Sequence, residues 1–452
     1  MRAKAAAPPP HYTCRMPKSV YIETYGCQMN VADSELMFGV LLRDGYVRAT
    51  EPAGADVMLV NTCAVRDNAE QRVIGRVGEL QRHKRSGGIL GVVGCMAQRL
   101  GPALLARVPR VDLVVGPDGY RNLPELIGLA QGGQRVSDTE FRSWEHYEDV
   151  PAARENGPTA FVTVQRGCDY RCTFCIVPQT RGPERSRKLD DVVAEIVTLV
   201  EQGTTEVTLL GQTVNSYHDG THDFADLLWA VGAVDGLRRL RFTSPYPTDF
   251  TARVIEAMAT TPAVCEHVHL PVQSGSNAVL KRMLRRYSRE RYLEVMAELR
   301  RAIPGLTFST DIIVGFPGET EAQFEETLSL VTDADFDEAY TFKYSVREGT
   351  PAVRLRDHIP DEVASARLDR LIDVVRARTR RKNIGRVGEI HEALVERPAK
   401  RGQLMLARTR SNYLVLVDLP QSSSGEYHQV RLTGTTGSTF TGSVVTPALA
   451  VL

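Results

Sequence analysis

The stretch AFVTVQRGCDYRCTFC, residues 160–175, sets three cysteines directly after a predicted β-strand. Cys168, Cys172 and Cys175, here the central triplet, follow a Cys-x-x-x-Cys-x-x-Cys spacing, and three thiolates suit three corners of a four-iron cubane cluster. The fourth iron would stay open to chelate S-adenosylmethionine and start radical chemistry. Structural zinc is the alternative, but zinc knuckles usually show two Cys-x-x-Cys pairs, and no fourth cysteine is near.

Strand-then-helix units continue from this stretch and predict an α/β partial barrel over residues 159–382. The first strand precedes the central triplet, and five more lie in these segments: EVTLLGQTVNSY, LRRLRFTSPYP, EHVHLPVQSG, GLTFSTDIIVGFPG and DEAYTFKYS. Because six strands are too few for a closed eight-stranded barrel, we expect an open (β/α)6 arrangement.

Polar residues after the barrel strands are candidates for cofactor binding, because loops at the strand ends carry the chemistry of such folds. The candidates are Gln212, Asn215, Ser244, His269, Gln273 and Asp311. For the glycines and prolines in these loops ordinary turn chemistry is the alternative, for His269 and Gln273 both interpretations stay open, and Asp311 could instead cap or orient its neighbours. No catalytic residue is predicted beyond the cluster ligands.

A second group of cysteines lies in residues 18–136, where short apolar runs alternate with helical stretches and predict an open parallel sheet. Cys27, Cys63 and Cys95, here the N-terminal triplet, each follow one of the first three strands. Since the carboxyl ends of parallel strands form one rim, the three are expected to converge and hold a second cluster. Three unrelated core cysteines are the alternative.

The rest of the chain completes the predicted organisation. Residues 1–17, rich in alanine and proline, are predicted as a flexible tail, and residues 137–158, without apolar periodicity, as a linker. Residues 383–447 show short β-like segments between glycine, serine and threonine turns, which predicts a small antiparallel β-barrel. Cys14 and Cys265 are expected to be incidental.

Composition limits the class of protein. Lys plus Arg and Asp plus Glu both total 55, so the net charge is +0 and any contact with nucleic acid must use local patches. Basic clusters such as RARTRRKN are therefore either RNA contacts or solvated faces, and an oligonucleotide-binding face is hypothesised around Arg408, Arg410, Asn412 and Tyr413. No apolar run would span a bilayer and no secretory signal is present, so a cytoplasmic protein with reduced thiols is expected.

The motifs closely resemble those of the radical S-adenosylmethionine methylthiotransferases, and within them the MiaB type that acts on tRNA. The likeness covers nearly the whole chain and is carried by these segments: YGCQMNVADSE, NTCAVRDNAEQR, VVGCMAQR, GCDYRCTFCIVPQTRGPERSR, GQTVNSY, HLPVQSGS, LKRMLRRY and DIIVGFPGET. The last domain is similar to the TRAM RNA-binding module. The chain departs from the family's usual pattern at Tyr246, at Gln179 and in SVREGTPA.

The resemblance implies two 4Fe-4S clusters, with the radical-generating one on the central triplet and an auxiliary one on the N-terminal triplet. It implies that one S-adenosylmethionine methylates a sulfur at the auxiliary cluster and that a second yields a deoxyadenosyl radical, which takes hydrogen from carbon 2 of an adenine. The expected substrate is N6-isopentenyladenosine at position 37 in the tRNA anticodon loop. An electron-donor protein such as a flavodoxin or ferredoxin, and iron-sulfur assembly or carrier proteins, are the expected partners, with no membrane.

Two alternatives stay open at this point. A methylthiotransferase acting on an aspartate of a ribosomal protein would share every cysteine, but the residues GCQMN around Cys27 are those of the tRNA type. A non-catalytic, zinc-dependent RNA-binding protein is the alternative from another class.

Overall fold

The N-terminal domain is a parallel sheet with helices packed on it. The computed structural model describes residues 17–64, 67–155, 157–400 and 402–445, with the backbone alone for residues 67–71. The strands are β1 (Ser19–Tyr25), β2 (Val47–Arg48), β3 (Val57–Thr62), β4 (Ile89–Gly94), β5 (Leu113–Val115) and β6 (Val136–Asp138). The helices are α1 (Gln28–Arg43), α2 (Asp67–Leu80), α3 (Cys95–Leu100), α4 (Ala103–Arg107) and α5 (Leu123–Gln131).

The strand order of this sheet is β2-β1-β3-β4-β5-β6, and all of these neighbours run parallel. Strands β3 (VMLVNT) and β4 (ILGVVG) are buried along their whole length, because helices cover both faces of a parallel sheet. The predicted open parallel sheet is confirmed. Strands β1, β3 and β4, which precede the three cysteines, are direct neighbours in it.

The middle of the chain forms the predicted partial barrel. Its strands are β7 (Thr159–Thr163), β8 (Gln165–Arg166), β9 (Arg185–Ser186), β10 (Glu206–Leu210), β11 (Arg239–Phe242), β12 (His267–His269), β13 (Thr307–Val314) and β14 (Glu338–Lys343). Its helices are α6 (Val177–Arg181), α7 (Leu189–Glu201), α8 (Phe224–Gly232), α9 (Ala252–Thr260), α10 (Asn277–Arg282), α11 (Arg289–Ala302), α12 (Glu321–Ala334) and α13 (Asp361–Gly385).

The barrel wall consists of two three-stranded parallel sheets, β7-β10-β11 and β12-β13-β14, and β8 and β9 form a separate short ribbon. The sheets meet where Leu240 in β11 pairs with the segment before β12, through backbone hydrogen bonds to Ala263 and Cys265 of 2.7 and 3.0 Å. In the described ranges β7 and β14 each have one strand partner, so the wall is open between them. The six-stranded partial barrel is as predicted.

The C-terminal domain is a closed five-stranded barrel with the order β15-β16-β17-β19-β18. Its strands are β15 (Ile390–Pro398), β16 (Met405–Thr409), β17 (Leu414–Val417), β18 (Tyr427–Thr435) and β19 (Thr439–Val444). The predicted small barrel is confirmed; four of its strand pairs are antiparallel, and the pair β17–β19, which closes the barrel, is parallel.

Arginines hold the C-terminal barrel against the amino ends of the central strands. Arg239 donates to the backbone oxygen of Arg408 at 2.8 Å, and Arg241 donates to that of Arg410 at 2.9 Å. The Arg410 guanidinium in turn pairs with Glu266 at 2.8 Å. Arg410, for which an RNA contact was hypothesised, is therefore engaged within the protein.

In the segment 137–158, predicted as a linker, residues 138–150 pack on the N-terminal domain. Strand β6 extends to Asp138, and Tyr147 and Val150 are buried in the core of the N-terminal domain. Arg121 of that domain also binds Glu145 at 2.7 Å. The domain boundaries stay predictions, and residues 1–16, with Cys14, and residues 446–447 lie outside the described part of the chain. Among the described helices, none is both long and apolar enough to cross a bilayer.

Candidate active site

The central triplet lies in the loop between β8 and α6, and two contacts fix the start of this loop. Gly167 has a φ of +77°, and a Cβ there would stand 1.9 Å from the backbone oxygen of Pro183, so only glycine fits. The Gly167 amide donates to Gln212 Oε1 at 2.6 Å, and Cys168 Sγ shares a 3.1 Å hydrogen bond with Thr213 Oγ1. The loop after β10 thus positions the first cysteine.

The end of the same loop is tied to the segment around the end of α10. The Thr173 side chain and amide donate to backbone oxygens there at 2.9 and 3.0 Å. Arg285, which follows α10, donates from Nη1 to Cys172 Sγ at 3.4 Å. Burial raises the pKa of the Cys175 thiol to about 12 and also raises the pKa of Cys168. Metal binding would have to stabilise thiolates at these positions.

The N-terminal triplet lies along one rim of the first sheet. Cys27 follows β1 and caps α1, Cys63 follows β3, and Cys95 is the first residue of α3 after β4. A hydrogen bond from Cys63 is the main cause that lowers the pKa of Cys27 to about 6. Gly94 has a φ of +92°, and a Cβ there would lie 2.4 Å from the Asn61 amide oxygen, so the chain turns tightly into Cys95.

One buried arginine of the central domain reaches the N-terminal triplet. Arg181, at the end of α6, donates from Nε to Cys95 Sγ at 3.1 Å and pairs through Nη2 with Asp33 of α1 at 2.7 Å. The Asp33 carboxylate is fully buried and also receives Arg166 Nη1 at 3.1 Å. Burial opposes ionisation of Asp33, but the two guanidinium groups outweigh it and lower its pKa. Ile176, next to Cys175, lies in one buried apolar cluster with Cys95 and Ala64.

Tyr246, one of the departures from the family pattern, belongs to an aromatic stack beside the central triplet. Its ring stacks on Tyr170 with centroids 3.8 Å apart, and the Arg285 guanidinium lies 4.3 Å from its centroid. Asn215 holds its backbone with two hydrogen bonds, to the Tyr246 oxygen at 2.9 Å and from its amide at 2.7 Å. The stack fixes Arg285 over Cys172.

A cavity of about 1520 Å³ fills the lumen of the partial barrel and is bordered by all three domains. Cys175 and Ile176 lie at its carboxyl end, Gln28 comes from the N-terminal domain, and Arg397 and Arg408 come from the C-terminal barrel. Its size exceeds that of ordinary small-ligand pockets, which hold about 300–1000 Å³. The lumen therefore has room for a cofactor and part of a second molecule.

Four of the six predicted cofactor residues line this cavity: Ser244, His269, Gln273 and Asp311. Ser244 and Gln273 have φ angles of +60° and +71°, and such backbone strain in non-glycine residues is concentrated at functional sites. His269 bonds Ser309 through Nδ1 at 2.9 Å and lies 3.4 Å from Asp311 through Nε2.

The other two predicted residues, Gln212 and Asn215, lie outside the lining of the cavity and bond within the fold. Gln212 holds the start of the cysteine loop, and Asn215 holds Tyr246. The structure thus brings four of the candidates to the lumen, whereas the other two bond to neighbouring loops outside its lining.

Comparisons with known proteins match both halves of the site. The profile of the Radical SAM superfamily matches residues 162–331, and that of "Uncharacterized protein family UPF0004" matches residues 19–116. The chain is 43% identical over 434 residues to tRNA-2-methylthio-N(6)-dimethylallyladenosine synthase of Clostridium botulinum, covering 94% of this chain and 96% of the relative. It is 44% identical to the synthase of the same name from Carboxydothermus hydrogenoformans, covering 92% and 97%.

The chain belongs to this synthase family. It is an enzyme of the radical S-adenosylmethionine methylthiotransferase type, and the superfamily implies one 4Fe-4S cluster and S-adenosylmethionine. Among solved structures, the radical S-adenosylmethionine methyltransferase TsrM from Kitasatospora setae matches with a TM-score of 0.58 at 16% identity, covering 75% of this chain and 74% of that one. This last likeness shows the fold alone.

The residues present fit the clusters that such a synthase needs. None of the six cysteines of the two triplets forms a disulfide. Among the described residues no three Cys, His, Asp or Glu side chains come close enough to hold a single metal ion, whereas a four-iron cubane is wider than one ion. Arg181 Nη1 is buried beside Cys95 and has no hydrogen-bond partner among the described residues. An acceptor supplied by a bound group would satisfy it.

Three residues of this site were missed by the sequence analysis: Asp33, Arg181 and Arg285. Asp33 and Arg181 are 148 positions apart in the chain, and no local pattern pairs an acid in a helix with such a distant arginine. The available signal was their place inside the segments YGCQMNVADSE and QTRGPERSR, each close to a cysteine triplet.

Proposed function

We propose that this chain is the synthase that adds a methylthio group to carbon 2 of N6-isopentenyladenosine at position 37 of tRNA. The relatives at 43% and 44% identity bear the name of that reaction over nearly their whole length. The observation that carries the proposal is the pair of cysteine triplets: Cys175 and Ile176 line the cavity, and Ile176 shares an apolar cluster with Cys95 of the other triplet.

Each triplet would hold one 4Fe-4S cluster, with the radical-generating one on the central triplet and the auxiliary one on the N-terminal triplet. When bound, the clusters and S-adenosylmethionine supply one-electron and methyl-transfer chemistry, which an adenine C2–H bond requires because it is not acidic and bears no leaving group.

The protein's own residues supply positive charge to the thiolates. Arg285 adds a cation at Cys172 and Arg181 adds one at Cys95, and a nearby positive charge favours the anionic form of a thiol. The two arginines are themselves positioned, Arg285 by the stack with Tyr246 and Arg181 by Asp33. We propose that they keep both sets of ligands in place when reduction adds negative charge.

The lumen residues orient the small molecules. Ser244, His269, Gln273 and Asp311 present polar groups to the cavity that Cys175 also lines, where S-adenosylmethionine would meet the central triplet. Residues of the barrel wall and of the C-terminal domain border this space. An external electron-donor protein and iron-sulfur assembly or carrier proteins complete the proposed system, and we propose a cytoplasmic location.

The test is a single-turnover assay without oxygen. Purified protein with reconstituted iron and sulfide, S-adenosylmethionine and a reductant would be mixed with tRNA that carries N6-isopentenyladenosine, and nucleosides would be measured by mass spectrometry. We expect the methylthio product from the wild type and from Cys265→Ala, a cysteine outside both triplets, but none from Cys168→Ala or Cys27→Ala. Activity on a ribosomal protein aspartate instead of tRNA would replace this proposal, and zinc in place of iron would end it.

A further inference from the structure

We infer that Tyr340 and Phe342 form an aromatic platform on which the adenine to be modified stacks as it enters the lumen. This inference rests on the proposed tRNA substrate and deepens it by naming residues that receive the base. Both side chains lie on the inner face of β14 and line the cavity.

The strand register places both rings toward the lumen. Tyr340 pairs with Asp311 and Phe342 pairs with Ile313 across β13 and β14, and paired residues in neighbouring strands point to the same face of a sheet. Asp311 and Ile313 line the cavity themselves. The next residue, Lys343, also borders the cavity, but its amine bonds Asp361 and Ser365 of α13.

Both rings are unusually exposed for residues that face a barrel interior. Tyr340 is 45% exposed and Phe342 is 39% exposed, although aromatic side chains on an inner face are normally buried. The rings are exposed because the wall is open at β14. Among the described strands, β14 pairs with β13 on one side and has no strand on the other. Large apolar groups left open at a cavity mouth mark a place where another molecule binds.

The surroundings of this opening match the chemistry of a single-stranded nucleotide. Arg397, at the end of β15, lines the same cavity and is exposed, and its guanidinium has no hydrogen-bond partner among the described residues. It is suited to a phosphate of the RNA backbone, while aromatic faces suit an unstacked base. In RNA, it is the unpaired bases of loops that stack on aromatic side chains of proteins.

Contacts hold the tyrosine ring ready for stacking. The Tyr340 hydroxyl donates to Glu338 Oε2 at 3.0 Å, and the ring meets His269 edge to face with centroids 5.8 Å apart. A ring fixed in this way loses little conformational freedom when a base stacks on it. The occupant we assign is the target adenine, because the platform and Cys175 border one cavity.

The test compares two RNA stem-loops with the anticodon-loop sequence, an intact one with N6-isopentenyladenosine at the target position and one with an abasic site there. Reconstituted protein would be titrated with each, and product would be measured with the intact RNA. The wild type should bind the intact RNA more tightly than the abasic RNA. Tyr340→Ala or Phe342→Ala should weaken binding of the intact RNA by about 5-fold to about 100-fold and remove this preference. Trp144→Ala is the matched control, since Trp144 is 67% exposed and does not line the cavity.

Two further variants keep the result interpretable. Tyr340→Phe retains a ring and should retain the preference for the intact RNA, which separates stacking from loss of the hydroxyl. Arg397→Ala should weaken the binding of the intact and of the abasic RNA by a similar factor, as expected of a phosphate contact.

The outcomes distinguish this inference from the proposed function. If the wild type forms product while Tyr340→Ala and Phe342→Ala keep the preference for the intact RNA, the platform is wrong and the proposed function stands. If the wild type binds the intact RNA in the ring-dependent way but forms no product, the platform stands and the proposed function is wrong. Equal binding of intact and abasic RNA by the wild type overturns the platform.

Discussion

The buried ion pair between Arg181 and Asp33 should carry a large share of the contact between the N-terminal domain and the partial barrel. Arg181→Gln would leave the Asp33 carboxylate buried with one of its two arginines, and removal of one partner of a buried ion pair costs about 3–5 kcal/mol. Asp33 keeps Arg166 at 3.1 Å and accepts from the Tyr120 hydroxyl at 3.3 Å. We therefore expect the lower end, about 3 kcal/mol off the free energy of unfolding.

Urea unfolding followed by circular dichroism, on protein without metal, would measure this change. Arg370→Gln is the control, because Arg370 pairs with Glu321 and Glu325 at the surface and such pairs contribute about 0–1 kcal/mol. Asp33→Asn should destabilise the protein in the same way as Arg181→Gln. If Arg181→Gln unfolds within about 1 kcal/mol of the wild type, as an exposed pair would, the ion pair does not hold the two domains together.

Three more predictions concern the clusters, one carboxyl group and one glycine. Reconstituted protein should bind about eight iron atoms, and replacement of either triplet by alanines should leave about four; a loss of all iron from one replacement would show that the triplets do not act separately. Burial raises the pKa of Glu35 from 4.5 to about 7. The protonated carboxyl therefore stabilises the fold by up to about 3 kcal/mol below about pH 4.5, and this contribution is lost as the pH rises through 7. The free energy of unfolding should fall between about pH 5 and pH 8 in the wild type and not in Glu35→Gln. The same fall in both proteins would contradict the prediction. Gly94→Ala should destabilise the N-terminal rim by about 2 kcal/mol or more, because its Cβ would strike Asn61, whereas Gly87→Ala, with a positive φ but nothing within 4 Å, should cost less in the same unfolding assay.

Much of the architecture followed from local patterns. Buried apolar runs such as VMLVNT and ILGVVG predict parallel strands, and the rule that the carboxyl ends of such strands share a rim predicts that Cys27, Cys63 and Cys95 lie on one side of the sheet. The count of six barrel strands was also available, because each strand is followed by a polar turn and a helix.

Contacts between distant segments were not available from the sequence. Gln212 and Asn215 are polar residues after a strand, as are Ser244 and Gln273, yet the first two bond to Gly167 and Tyr246 inside the fold. Local sequence cannot separate a side chain that faces the lumen from one that turns back to the loop beside it.

The same limit applies to charges. Arg410 is one of many surface-type arginines by pattern, and its partner Glu266 is 144 positions away in the chain. Asp33 and Arg181 meet for the same reason, since a charge is buried where a distant opposite charge is available. The exposure of Tyr340 depends on the gap in the barrel wall, which no pattern within β14 reveals.

The central claim is that this chain forms the methylthio group on tRNA with both cysteine triplets. The most direct measurement is mass spectrometry of tRNA nucleosides from a strain that lacks the gene, complemented with the wild type, with Cys168→Ala or with Cys265→Ala. We predict that the deletion and Cys168→Ala accumulate N6-isopentenyladenosine without its methylthio derivative, and that the wild type and Cys265→Ala restore it. Methylthio nucleoside at wild-type levels in cells with Cys168→Ala as the sole copy would contradict the claim.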